Sequence, residues 1–339
     1  MKSPVVMAAC ALLGGWGLWG TARCAEPSPT RSIPHVTSAP MDPTTPVLSS
    51  EDFSASEETC AKPENEEPGD LTLRNFFTAG WDEEFTRRNS EGRAPDLALL
   101  RVQTNFMERE FRTNYFFQNN IHTGNRENLN NLDAFLAYAF NRRFMLEIFG
   151  NYQWLDTRKG PDEDGAAARL VGRVQLISTA DSSYTFNFQT ITPNRGIGEK
   201  QTTFSYGLAG FEDLTRFGLY RVGLYGSFLF DTLAGPHAKG AAVDDVQYDI
   251  TLAKTLTDPK TPLIGNFTLF VENFAQTNLD GDHAGRTNFT ITPGVRFNLG
   301  KLPGIVLGLD NWLMAGVDIP LAGPKPWDAT YRFTYIKNF

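Results

Sequence analysis

The sequence has little cysteine and little histidine, and it lacks a long apolar run. Its three cysteines cannot form a disulfide scaffold. Its 31 Lys and Arg residues against 39 Asp and Glu residues give a net charge of −8, which argues against nucleic acid as a partner because phosphates bind basic surfaces. No stretch offers the roughly 20 uninterrupted apolar residues of a membrane-spanning helix. Phenylalanine, in contrast, is abundant, with 26 of the 339 residues.

The beginning of the chain has the features of a secretory signal peptide, over residues 1–25. Lys2 provides the positive start, and Val5–Trp19 provides the apolar stretch. Ala22 and Ala25 are small residues of the kind found at cleavage points. We therefore expect an exported protein from which this segment is removed.

The composition then changes twice before the main body of the chain. Residues 26–69 are rich in Pro, Ser, Thr and acidic residues and bury too little apolar surface to offset chain entropy, so we expect a disordered linker. Residues 70–95 begin with Leu71–Phe85, for which we expect a short amphipathic helix with Asp70 as its N-cap and Gly80 as its stop. Such a helix could plug a pore, lie on a membrane surface or pack as a cap.

From residue 96 to residue 339, apolar and polar side chains alternate. Phe144 and Ile148 would share one face of a strand, while Glu147 would lie on the other. Segments of about ten residues with this alternation suit tilted strands that cross a bilayer. The sequence therefore predicts an all-β fold, a transmembrane antiparallel up-and-down β-barrel of about twelve strands. In the first strand the alternation shifts around Met107–Arg109, which favours a bulge. The expected strands are 97–118, 131–140, 144–155, 168–178, 184–191, 201–210, 218–231, 245–256, 265–276, 287–299, 305–319 and 327–339.

The connections between these strands help to separate the barrel from a soluble β-sandwich, in which strands alternate in the same way. In an outer-membrane barrel the outer loops are longer than the periplasmic turns. The expected connections mostly follow that order: short ones include Asn141–Arg143, Asp181–Ser183 and Gly300–Gly304, and long ones include Asp156–Ala167 and Thr232–Asp244. The barrel is therefore the preferred interpretation.

Several stretches resemble bacterial outer-membrane proteins. The final stretch YRFTYIKNF ends in Phe339 and resembles the C-terminal signal that the barrel-assembly machinery reads in outer-membrane β-barrel proteins. FFTAGWDEEF, LLRVQTNFMEREFRTNY and GRTNFTITPGVRF look like an uncharacterised subfamily, distantly similar to the outer-membrane channel family associated with phenol degradation. The resemblance implies a location in the cell outer membrane, with its lipid and the barrel-assembly machinery as partners. It brings no substrate and no catalytic residue with it.

The polar face of the expected strands carries charged residues that would point into the barrel. These lumen-lining candidates are Arg101, Arg112, Asp133, Glu147, Arg173, Asp249, Glu272, Arg296, Asp310, Asp318 and Arg332. Buried charges must pair or meet water, so these groups either line a narrow wet pore or form a paired ladder that closes the lumen. The first option predicts a channel or transporter for passive passage of small solutes, amphipathic or aromatic ones included. The second predicts a non-transporting structural or surface-binding barrel.

Catalysis, metal binding and cofactor binding are not expected. None of the four histidines lies in an expected strand, and Asp282 with His283 is more typical of a solvated loop than of a protease site. An outer-membrane barrel hydrolase is therefore the third option. The acidic loops Asp280–His283 and Asp162–Gly165 lack the full ligand spacing of a twelve-residue calcium loop. The sequence does not indicate an oligomeric state.

Overall fold

The computed structural model describes residues 69–86, 92–121, 127–156, 163–193, 195–196, 201–235, 241–259, 261, 264–299, 311–323, 325 and 327–339. The expected signal peptide, nearly all of the expected linker and Asp310 lie outside these ranges. Among the described residues, no helix has the length and apolar character needed to cross a membrane.

Strands make up most of the described chain. They are β1 Arg109–Ile121, β2 Glu127–Ala139, β3 Phe144–Asp156, β4 Glu163–Ser178, β5 Ser182–Ile191, β6 Arg195–Gly196, β7 Thr202–Asp213, β8 Val222–Ala234, β9 Asp244–Thr255, β10 Gly265–Asn278, β11 Thr287–Asn298, β12 Asn311–Ala322 and β13 Ala329–Asn338. A short 3-10 helix at Leu214–Phe217 joins β7 to β8. Twelve of these strands are long, and β6 has two residues.

Each long strand pairs antiparallel with its neighbours, and the sheet closes on itself. Consecutive strands pair from β1 to β5 and from β7 to β13, and β5 pairs with β7. β6 pairs only with the start of β4. The ring closes where β1 pairs with β13, and there the N–H of Phe339 donates to the carbonyl of Arg109 over 3.1 Å. The predicted antiparallel up-and-down barrel of about twelve strands is confirmed.

The alternation along the strands gives the barrel an apolar outer face. Ile148, Phe188, Phe228, Ile250 and Phe333 are between 44% and 59% exposed. The residues beside them in sequence point inward, and most of these are polar. Exposing so much apolar surface to water is unfavourable, whereas a bilayer would cover it. An apolar outside with a polar inside is the arrangement of a barrel that spans a membrane.

Glycine makes room for two close contacts in the wall. Gly172 on β4 lies opposite Phe188 on β5, and a Cβ atom at position 172 would lie 2.0 Å from the ring. The ring thus covers the backbone of the neighbouring strand, a pairing that also pins strand register. On the inner face, a Cβ atom at Gly316 would lie 2.4 Å from a methyl group of Leu100.

The first expected strand, 97–118, is wrong in its first half. β1 begins at Arg109, where a bulge was expected, and residues 97–108 belong to no strand. Gly92–Glu108, called the plug below, instead packs against the inner face of the barrel. Its Leu97 and Leu99 belong to one apolar cluster with inward side chains of β7, β8, β9, β10, β12 and β13. Extended backbone alone does not make a strand; a hydrogen-bonded neighbour does.

The expected helix at Leu71–Phe85 is also wrong. Residues 69–86, called the cap below, form bends and turns, in which the N–H groups of Thr78 and Ala79 both donate to the carbonyl of Asn75, over 3.1 and 3.0 Å. The cap lies against the turns that join β2 to β3 and β4 to β5. Leu71 makes an isolated antiparallel bridge to Ser178, with both backbone bonds at 2.9 Å.

Two arginines of the β2–β3 turn hold the cap in place. Arg143 is fully buried, donating from Nε to the carbonyl of Ala79 over 2.9 Å and from Nη2 to Oδ1 of Asn75 over 3.0 Å. Its Nη1 donates to two carbonyls at the end of β4. Arg142 forms an ion pair with Glu83, and this hydrogen bond holds the pKa of the Glu83 carboxyl below its ordinary value.

Candidate functional site: the barrel interior

The barrel interior brings together most of the charged residues predicted to line it. Arg112, Glu147, Arg173, Asp249, Glu272, Arg296 and Asp318 are buried, and Asp133 and Arg332 are half-buried on the same inner face. Arg101 lies on the plug rather than on a strand, although its guanidinium still reaches the interior. Asp310 lies outside the described residues.

Asp318 on β12 gathers three donors in the interior. Its Oδ2 accepts from Arg101 over 2.8 Å and from Arg332 over 2.7 Å, and its Oδ1 accepts from the hydroxyl of Thr292 over 2.8 Å. The carboxylate is fully buried, and a buried charge persists only with this kind of compensation. One acid thus links the plug to three neighbouring strands.

A second charged pair lies on β3 and β4. Arg173 on β4 meets Glu147 on β3 at 2.5 Å, and both side chains are almost fully buried. Glu108, at the end of the plug, lies 4.0 Å from the same guanidinium. Charges here are matched across neighbouring strands, as a paired ladder would require.

The plug draws its hydrogen bonds from side chains of the wall. Arg296 donates to the carbonyl of Ala98 over 2.8 Å, and Glu272 accepts from the N–H of Arg101 over 3.1 Å. The hydroxyl of Tyr225 donates to an earlier carbonyl of the plug over 2.8 Å. Backbone polar groups inside a protein need partners, and side chains of the wall provide partners for the plug. The polar inner face therefore serves in part to bind a segment of its own chain.

Two cavities flank the plug. The proximal cavity has a volume of about 270 Å³ and lies beside the cap, between residues such as Leu71, Arg142, Ala98 and Trp312. The distal cavity has a volume of about 250 Å³ and lies beyond the plug. The distal cavity is lined by Leu99, Leu100, Arg101, Val102, Gln103, Thr104, Arg112, Asn114, Phe116, Asp133, Phe135, Glu147, Phe149, Arg169, Arg173, Gln247, Phe274 and Arg332. Residues 98 and 99 of the plug thus face different cavities.

Arginines and aromatic rings alternate around the distal cavity. The guanidinium carbon of Arg169 lies 3.6 Å from the centre of the Phe149 ring, and that of Arg332 lies 4.4 Å from the Phe116 ring. Arg169 was not among the candidates expected from the sequence. The same alternation that turns Arg173 inward also turns Arg169 inward, so the strand pattern contained the signal.

Of the outer-loop residues considered for catalysis or metal binding, those of the loop Asp280–His283 are described, whereas Asp162 lies outside the described residues. Asp282 and His283 are exposed. Asp280 accepts hydrogen bonds from the N–H groups of Val243 and Asp244 over 2.8 and 3.1 Å, and these bonds connect two loops. Within the described ranges, no group of three or more His, Cys, Asp and Glu residues could hold a metal ion.

Comparisons with known proteins find similar barrels among solved structures. No known family profile and no curated protein matches the chain. An outer membrane channel from Pseudomonas putida F1 is 12% identical with a TM-score of 0.49, covering 72% of this chain and 100% of that one. The NanC porin is 8% identical with a TM-score of 0.45, covering 68% and 99%. The KdgM porin, solved in complex with disordered oligogalacturonate, is 11% identical with a TM-score of 0.40, covering 67% and 99%. These likenesses concern the barrel alone.

Proposed function

We propose that the protein is an outer-membrane channel through which small solutes pass by diffusion. The observation that supports the proposal best is a charged interior inside a wall with an apolar outer face. Charged side chains such as Glu272 and Arg296 would be out of place on the lipid side, and their position inside the ring suits an aqueous route. The two cavities beside the plug are parts of such a route.

The plug determines how freely solutes would pass. Its backbone and side chains occupy the space between the two cavities, held by bonds to Glu272, Arg296 and Asp318. Passage of anything larger than water or a small ion then requires the plug to shift. Weakening one of these bonds should therefore increase the permeability.

The substitution Glu272→Gln tests this proposal. A glutamine side chain would keep an acceptor oxygen but lose the negative charge, and hydrogen bonds to a charged group are about twice as strong as neutral ones. We expect wild-type protein in liposomes to admit small sugars or amino acids slowly in swelling assays. Glu272→Gln should raise the swelling rate and the single-channel conductance in planar bilayers.

The matched control is Glu84→Gln, which makes the same chemical change on an exposed residue of the cap. It should leave both measurements unchanged. Folding of each variant is checked by heat-modifiable migration in gels. Absence of swelling and of conductance from both well-folded wild type and Glu272→Gln would refute the channel.

A non-transporting structural barrel is the second candidate, and the plug itself favours it. Arg101, Arg296 and Tyr225 all take part in bonds that hold the plug to the wall. If these bonds never open, the charged residues only stabilise the ring. The swelling assay separates the two candidates, since a purely structural barrel would stay closed in every variant with one substitution.

A further inference from the structure

The distal cavity contains more positive than negative charge. Five arginines line it, namely Arg101, Arg112, Arg169, Arg173 and Arg332. The carboxylates that line it or pair with its arginines are Asp133, Glu147, Asp318 and Glu108. Five guanidinium groups against four carboxylates leave an excess of one positive charge. Such an excess attracts an anion.

From this cavity we propose a binding site for a small organic carboxylate that carries an aromatic ring. The inference deepens the proposed function, because it names the class of solute. It rests on that proposal only for the passage of the solute and not for its binding.

The pairing of the arginines shows which of them remain available. Arg173 is paired with Glu147 and lies 4.0 Å from Glu108, while Arg101 and Arg332 share the single carboxylate of Asp318. For Arg112 and Arg169, no carboxylate among the described residues lies within the 4.0 Å of an ion pair.

Arg112 and Arg169 differ in what else they contact. Arg112 donates to the carbonyl of Leu99 and to Oδ1 of Asn114, so part of its donor set is used. The guanidinium carbon of Arg169 lies 3.6 Å from the centre of the Phe149 ring, and a guanidinium that stacks on a ring keeps the N–H groups along its edge available to a ligand. Arg169 is therefore the residue on which we expect a carboxylate to bind.

Two further buried acids, Asp249 and Glu272, lie near Arg101 but outside the lining of the cavity. Asp249 accepts from the hydroxyl of Ser227 over 2.8 Å, and Glu272 accepts from the plug backbone. Neither lines the cavity. Asp133 does line it and accepts from the amide of Asn151. The positive excess is thus not cancelled by a further carboxylate in the lining.

The aromatic rings and the size of the cavity define the rest of the ligand. Phe116, Phe135, Phe149 and Phe274 supply apolar wall between the arginines. A guanidinium forms bidentate bonds with a carboxylate, and its flat face stacks on an aromatic ring. The volume of about 250 Å³ is just below the roughly 300–1,000 Å³ of drug-sized ligand pockets. Benzoate has the charge, the ring and the small size that these features require.

The experiment measures equilibrium binding of benzoate to the purified, full-length protein in detergent micelles, by calorimetry or ligand-observed NMR. Benzyl alcohol and benzylammonium are the neutral and cationic probes of similar shape. We expect benzoate to bind at least tenfold more tightly than either probe. Acetate, which lacks the ring, should bind more weakly than benzoate.

Variants then locate the binding. Arg169→Gln should weaken benzoate binding by about tenfold or more, since a hydrogen bond to a charged group is lost. Arg169→Lys, which keeps the charge but not the planar fork, should fall between Arg169→Gln and wild type. The matched control is Arg216→Gln on the surface beyond β7, which should bind as wild type does.

Several results would overturn the site. Equal affinity for benzoate and benzyl alcohol in wild-type protein would do so without any variant, so the test does not depend on how Arg169→Gln folds. Unchanged benzoate affinity in folded Arg169→Gln would also do so. Binding of benzoate without liposome swelling leaves the site standing and refutes the channel, whereas swelling without benzoate binding does the reverse.

Discussion

Arg143 allows the attachment of the cap to be tested in isolation. Arg143→Met keeps an unbranched apolar stem and removes every side-chain donor. Four of the bonds made by Arg143 go to the cap, and two of them, to Ala79 and to Oδ1 of Asn75, are 3.0 Å or shorter. We therefore expect the cap to open far more often in the variant while the barrel stays folded.

The magnitude follows from those two shorter bonds. Hydrogen bonds to a charged group contribute about 1.5–3 kcal/mol each. The lower figure for two bonds gives about 3 kcal/mol, which corresponds to an increase of roughly a hundredfold in the open fraction. Arg143→Lys keeps the charge and one donor group, so its effect should be smaller.

Hydrogen exchange followed by mass spectrometry measures this opening directly. The amides of Leu71 and Ser178 bond to each other's carbonyls, so both report on detachment of the cap. Arg216→Met, at the same end of the barrel, removes an exposed arginine and should not change their exchange. If exchange in Arg143→Met equals that of wild type while heat-modifiable migration is retained, apolar contacts hold the cap and our reasoning is wrong.

Three further predictions concern the cap, the outer wall and the plug. Arg142 lowers the pKa of Glu83 in the folded protein, so the ion pair stabilises the cap fully at pH values above 4.5, the ordinary pKa of the carboxyl. This stabilisation is lost as the pH falls through the lowered pKa of the folded state. Glu83→Gln should remove this pH dependence from hydrogen-exchange rates of the cap, once they are corrected for intrinsic exchange. Gly172→Val should destabilise the barrel by about 1–3 kcal/mol in urea unfolding from vesicles, because the new side chain would overlap a phenylalanine ring of β5. The control Gly150→Val places the same side chain in open space and should leave the stability unchanged. Gly316→Val should push the plug off the wall and raise conductance; unchanged conductance would show that the plug does not limit flow.

The strands could be predicted from the sequence because they depend on a local pattern. In β3, Glu147 and Ile148 differ in exposure from 1% to 58%, and a period of two is enough to predict this. The inward position of Arg173 and Glu272 follows from the same pattern. What the pattern cannot provide is the partner of an extended segment.

The plug and the cap show this limit in physical terms. Leu97 and Leu99 are two positions apart, as on one face of a strand, yet their segment bonds to side chains of distant strands instead of to a strand edge. In the cap, Asp70 and Gly80 are local helix signals. The carbonyl of Ala79 instead accepts from Arg143, a residue more than sixty positions away, and the carbonyl of Asn75 accepts from both Arg143 and the N–H of Ala79.

The seam between β1 and β13 sets an order of events during assembly. The plug precedes β1, but side chains that hold it, on Glu272, Arg296 and Asp318, lie on β10, β11 and β12. The part of the chain made early can therefore reach its final contacts only after the last third has formed hairpins. Once the first and last strands have joined, the plug could enter only end-on, through a ring already lined with charge. Threading is avoided if the plug settles inside while the seam is still open.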